Sequence, residues 1–166
     1  AKTQLDLEPD EIRKNFLDRI LKKFQTLRQD IDSPSGVSYR DRYRHVLQSL
    51  CLDANYVIDI HSSTNQSFDY LYCFQTREEN AKYYSLNYGI LLNEYDGDAF
   101  DEAFLKPWLS LELELTKLGK PTFFDLESWT LELGSGMEMN ADSVYRGVRG
   151  IKNYLVGKGM LKISGF

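Results

Sequence analysis

Tyr56-Val57-Ile58-Asp59-Ile60-His61-Ser62-Ser63-Thr64-Asn65 is the stretch around which the chain is organised. A β-branched apolar run ends abruptly in Asp-x-His and then in small hydroxylated and amide residues, the pattern of a buried strand that delivers side chains into a site at its tip. Positions two apart on a strand face the same side, so Asp59 and His61 project together. A carboxylate beside an imidazole fixes its tautomer and raises its basicity. That pairing serves either a metal-bound histidine or a buried structural pair, and the segment alone leaves both open. The chain has only two histidines, and His61 is the better placed.

Outward from this strand, the pattern alternates between strand and helix. Phe68 to Phe74 alternates aromatic residues with Asp69, Leu71 and Cys73 and reads as a second strand. Thr76 and Glu79 have capping-box spacing and predict a helix running to about Asn87, stopped by Gly89, with a short strand Ile90 to Asn93 after it. After the loop Glu94 to Gly97, a helix is expected from about Asp98 to Leu118, kinked or divided at Pro107. Thr122 to Phe124 is a possible strand entry, and Trp129 to Glu132 is a strand closing at Gly134-Ser135-Gly136. A last helix from near Asn140 places Val144, Val148, Ile151 and Leu155 on one face and ends at Gly157-Lys158-Gly159. Such alternation calls for a largely parallel sheet with helices on its faces, whose sites gather at the carboxyl ends of strands. His61 and Glu132 both lie at such ends.

Before the strand, Ile12, Phe16, Ile20, Phe24, Leu27 and Ile31 form a single helical stripe from Pro9 to Ile31. Pro9 suits the first turn, Asp10 and Glu11 suit the positive end of the dipole, and Ser33-Pro34-Ser35-Gly36 ends the helix. A second helix opens with Ser38 and Asp41 in capping-box spacing and continues to Leu50. Its Arg40, Arg42, Arg44 and His45 read as a solvated face, because successive helical residues do not converge.

Composition narrows the function classes. The 166 residues are 42% hydrophobic and 13% aromatic, enough for a packed globule, and the net charge of −5 argues against a nucleic-acid or anionic-membrane surface. No run is long and apolar enough to span a bilayer, and the first residues carry no apolar signal core, so a soluble, cytoplasmic chain is the expectation. Cys51 and Cys73 read as small buried hydrophobes. Asn65-Gln66-Ser67 matches a glycosylation sequon of a kind that is common by chance. Neither a Gly-x-Ser-x-Gly elbow nor a phosphate-binding glycine loop is present.

Glu132 is the second candidate for chemistry. It interrupts the apolar strand Thr130-Leu131-Glu132-Leu133-Gly134, and a carboxylate in a buried sheet needs a reason. A general base acting on a metal-bound water is one reason, and an edge strand facing solvent is the other. Glu127 falls in an expected loop and reads as exposed.

In this order the residues resemble the zinc carboxypeptidase-like family, and within it the succinylglutamate desuccinylase/aspartoacylase branch. Tyr56 to Asn65 looks like that branch's Asp-Leu-His-x-x-Thr segment, and Thr130 to Gly134 looks like its Thr-x-Glu-x-Gly segment. The helix Val144 to Leu155 is similar to the family's helix after the glutamate. The resemblance covers about residues 36 to 161. It implies an α/β fold with a mixed, largely parallel central sheet flanked by helices, and a single zinc. By position it makes His61 the third zinc ligand and Glu132 the general acid/base, with Asp59, from the strand reading above, as the carboxylate that orients His61. It also implies a small-molecule partner, an N-acyl amino acid or related amide, from which an amino acid or amine is released.

The family's His-x-x-Glu segment has no counterpart before His61, so two zinc ligands lie outside this sequence. The expectation is a 1–35 amphipathic helical segment and a 36–166 part of a catalytic domain belonging to a longer chain, with Ala1 in place of Met and the end at Phe166 favouring that view. A shortened, non-catalytic relative acting as a binding or structural module is the alternative, and a metallocarboxypeptidase a further one. Missing strands would leave a sheet edge open to self-association.

Overall fold

The computed structural model describes residues 4–33, 36–63, 68–94 and 99–164. The sequon at Asn65, the loop from Tyr95 to Gly97, the helix start at Asp98 and the turn residues Pro34 and Ser35 lie outside the described residues. By its internal contacts the chain divides into two compact units, residues 1–57 with 96–127, and residues 58–95 with 128–166.

The first unit is built from helices. Helix α1 (Pro9–Ile31) starts with Pro9, and its Glu11 carboxylate accepts the Glu8 backbone N–H at 3.4 Å. Of the predicted stripe, Ile12 and Ile31 are buried, Phe16, Ile20 and Phe24 are half-buried, and Leu27 is exposed. Helix α2 (Tyr39–Ser49) has the expected cap: Ser38 Oγ accepts the Asp41 N–H at 3.1 Å and donates to the Asp41 carboxylate at 2.6 Å. Helix α3 (Phe100–Lys117) runs unbroken through Pro107. Proline removes one backbone hydrogen bond there, but Phe104, Leu105 and Trp108 around it are buried, and the edge of Phe16 from α1 meets the Trp108 ring at 5.0 Å. Thr122 to Phe124 form no strand, because the Phe124 N–H is taken by the Glu112 carboxylate at 2.7 Å rather than by a neighbouring strand.

The second unit contains the sheet ends that matter for chemistry. Among the described residues, four strands, β1 (Tyr56–Ser63), β2 (Tyr70–Phe74), β3 (Tyr88–Leu92) and β4 (Glu127–Ser135), are ordered β1-β4-β2-β3. The sheet is mixed, as expected for this α/β class: β2 runs parallel to β3 and antiparallel to β4. Helix α4 (Ala141–Gly157) packs on one face, with Tyr154 stacked on Tyr84 at 4.9 Å and edge-on to Trp129 at 5.9 Å.

Two local expectations are corrected, at Thr76 and at Glu127, and the packing of α4 is added to the reading. Thr76 and Glu79 do not open an α-helix: Thr76 has φ 73°, and a short 3-10 segment, Glu78–Tyr84, takes that place and ends at Ser85 in the left-handed region. Helix α4 buries Ser143, Gly147, Gly150 and Tyr154, whereas Val144 and Val148 are exposed. Close approach decides this: a Cβ at Gly150 would sit 2.5 Å from the Tyr84 carbonyl oxygen, so only the small-residue stripe fits against that segment. Glu127 is fully buried at the start of β4 instead of exposed in a loop. Among the described residues, no helix is long and apolar enough to cross a membrane.

Candidate active site

Alternation along β1 and β4 sends Asp59, His61, Thr130 and Glu132 to one face of the sheet, while Leu131 and Leu133 turn to the α4 side. The side chains predicted to carry chemistry do converge. His61 Nε2 lies 3.1 Å from Asp59 Oδ2, and His61 Nδ1 lies 3.6 Å from Glu132 Oε1. The second distance is an ion-pair contact when the imidazole is protonated and too long for a hydrogen bond. The imidazole is half exposed, whereas the Glu132 side chain is only 14% exposed. Glu132 Oε2 is buried with no hydrogen-bond partner among the described residues, an unsatisfied acceptor beside the imidazole.

A residue not singled out in the sequence stands opposite this carboxylate. Tyr70 on β2 is the register partner of Glu132, and directly opposed residues of an antiparallel pair share a face. Its hydroxyl lies 3.5 Å from that of Tyr72. That contact, with burial and the charge of Glu132 added, pushes the Tyr70 phenol up to about 12, so it is a neutral donor at physiological pH. Only the strand register reveals this, and register is not legible from one strand's sequence.

Behind Glu132 the strand is clasped from below. Gly134 has φ +65° and a Cβ there would lie 3.2 Å from Ser143 Oγ, which explains the glycine. Its N–H donates to Asp69 Oδ1 at 2.8 Å, and Arg146 Nε donates to Asp69 Oδ2 at 2.5 Å. Burial alone would push the Asp69 carboxyl up, but hydrogen bonds from the Ser143 and Arg146 side chains and the Gly134 backbone outweigh it and hold the group below its ordinary value. Arg146 is therefore part of the clasp and not a free anion grip. A cleft of about 300 Å³ passes His61 and is walled by Ile60, Leu133, Met139 and Val144 on the α4 side, the face opposite Glu132.

As a metal centre the described residues are incomplete. His61 offers one imidazole nitrogen, but among the described residues no three His, Cys, Asp or Glu side chains are grouped to hold an ion. Zinc needs three protein ligands and an open position for catalysis, so these residues supply one leg of such a site and do not fit the ion by themselves.

The fold and these side chains define an α/β domain with an imidazole and a carboxylate paired at adjacent strand ends. Solved structures of this kind match it. One, from Shewanella amazonensis, is assigned to the succinylglutamate desuccinylase/aspartoacylase family; it is 28% identical, aligns over 93% of this chain and 41% of its own, and has a TM-score of 0.81. A second with the same assignment, from Shewanella frigidimarina, is 25% identical over 95% of this chain and 41% of its own, with a TM-score of 0.84. The product-bound ectoine utilization protein EutE (DoeB) from Ruegeria pomeroyi, at 18% identity and a TM-score of 0.50, shares the fold. This chain spans about two-fifths of the length of the two Shewanella proteins. No protein-family model and no curated protein matches the chain.

Proposed function

We propose that this chain carries part of the active site of an amidohydrolase of the succinylglutamate desuccinylase/aspartoacylase type, releasing an amino acid or amine from an N-acyl amino acid or related small amide. The observation that carries the reading is the partnerless Glu132 Oε2, buried beside His61 at the strand ends, in a fold shared with proteins assigned to that family. Glu132 takes a proton from water as its oxygen bonds to the acyl carbon, then passes it to the nitrogen as the C–N bond breaks, leaving a carboxylic acid and a free amine. The neutral Tyr70 phenol, held on the same face, is a donor for the acyl oxygen as it gains charge. Asp59 keeps His61 oriented. We further propose that His61 is one of three ligands to a zinc ion, the other two coming from outside this sequence.

The test is Glu132→Gln in the full chain, with amine release from a panel of N-acetyl and N-succinyl amino acids and zinc content measured on the same samples. Turnover should fall by about 10²–10⁴-fold with metal content unchanged. Full activity with metal retained would remove Glu132 from the chemistry, and a wild-type protein that neither holds zinc nor releases amine would remove the reading.

A second reading is a binding or structural module, and the absence of a three-ligand grouping among the described residues favours it. Zinc stoichiometry in the wild type separates the two.

A further inference from the structure

One cleft is lined entirely by residues of the first unit. It is formed between α1 and α2, with a volume of about 440 Å³, inside the roughly 300–1,000 Å³ range of small-molecule sites. Its walls are apolar, with Leu21, Phe24, Ile31 and Val46 facing it, and three cationic or proton-donating side chains reach the same space: Arg28, Arg42 and His45.

These groups are under-used by the protein. Arg42 Nη2 donates to the Ile31 carbonyl at 3.0 Å, which places its guanidinium at the carboxyl end of α1, and it has no carboxylate partner among the described residues. Arg28 also forms no ion pair among them, although Asp32 lines the same cleft and offsets one of the two positive charges. The His45 ring is stacked on Phe24 at 5.0 Å, and its Nδ1, closed off from solvent, has no hydrogen-bond partner among the described residues. A buried polar nitrogen without a partner costs free energy comparable to a lost hydrogen bond. Two guanidiniums on an apolar floor are complementary to a carboxylate attached to an apolar body.

We propose that the α1–α2 cleft is a binding site for a small amphipathic carboxylate. The carboxylate accepts from Arg28 and Arg42, and the hydrocarbon body lies on Phe24, Leu21 and Val46. This assignment is independent of the chemistry at Glu132.

Calorimetric titration of the full chain with octanoate and with octanamide tests it, because the two probes share the apolar body and differ in charge. Octanoate should bind one molecule per chain, about tenfold tighter than octanamide at low salt. Arg28→Gln, at an exposed position, should weaken octanoate about five- to tenfold while leaving octanamide unchanged. Equal binding of both probes, or no binding of octanoate at millimolar concentration, overturns the proposal. So does a concentration-dependent dimer, seen by sedimentation, that Arg28→Gln disrupts and octanoate does not, since the occupant is then a second copy of this chain.

Discussion

Replacing Asp69 tests whether the clasp behind Glu132 holds β4 in place. The carboxylate is 4% exposed and Arg146 is 48% exposed, so the ion pair is screened on one side and contributes only about 0.2–1 kcal/mol. The larger loss in Asp69→Ala is the Gly134 N–H, which donates to Asp69 at 2.8 Å and would be left without its acceptor at about 1–3 kcal/mol. With the Ser143 contact also gone, the total is roughly 2–4 kcal/mol. Asp69→Asn retains an acceptor for Gly134 and should cost about half of that. The sign of the pH dependence follows from the lowered folded-state pKa. The contribution of Asp69 is complete above the ordinary carboxylate value, 3.8, and is lost as pH falls through the depressed folded-state value, so the gap between wild type and Asp69→Asn should narrow in acid. Urea unfolding followed by tryptophan fluorescence, with Trp129 fully buried in the same unit, reads the difference. A stability for Asp69→Ala within about 0.5 kcal/mol of wild type, or a gap that widens toward low pH, refutes the clasp.

Gly150→Ala should destabilise the chain by about 1–3 kcal/mol, since its methyl would lie 2.5 Å from the Tyr84 carbonyl; thermal melting checks it, and an unchanged midpoint would mean that α4 can shift away. Tyr72→Phe should bring the Tyr70 phenol down from about 12 toward its ordinary value, visible as one tyrosine ionising earlier in an ultraviolet titration. On the outer strand β3, Ile90 is 43% exposed; if open strand edges drive self-association, Ile90→Lys should lower the sedimentation-derived oligomer fraction, and a wild type that stays monomeric at every concentration dismisses that idea.

The sequence carried some of this architecture plainly and hid the rest for physical reasons. The α1 stripe was legible because one face of that helix is solvated, so the 3.6-residue period stands out. Asp59 and His61 could be placed on one side because strand alternation is a purely local rule. The tight side of helix α4 was not legible because it is made of Ser143, Gly147 and Gly150, whose lack of bulk is the reason for their burial, while the apolar Val144 and Val148 stay in solvent. Glu127 looked like a loop residue because nothing local announces that β4 begins there. Tyr70 was missed because its neighbour across the ladder, Glu132, comes from a distant segment.

That distance also sets an order of assembly. The Asp69 clasp joins positions separated by 65 and 77 residues along the chain. Loops of that length must close before the clasp can form, and closure on this scale comes late in folding. Glu132 is synthesised before Arg146, so on a growing chain the carboxylate exists before the contact that aims it. The strand tip stays unaimed until most of helix α4 has emerged and docked.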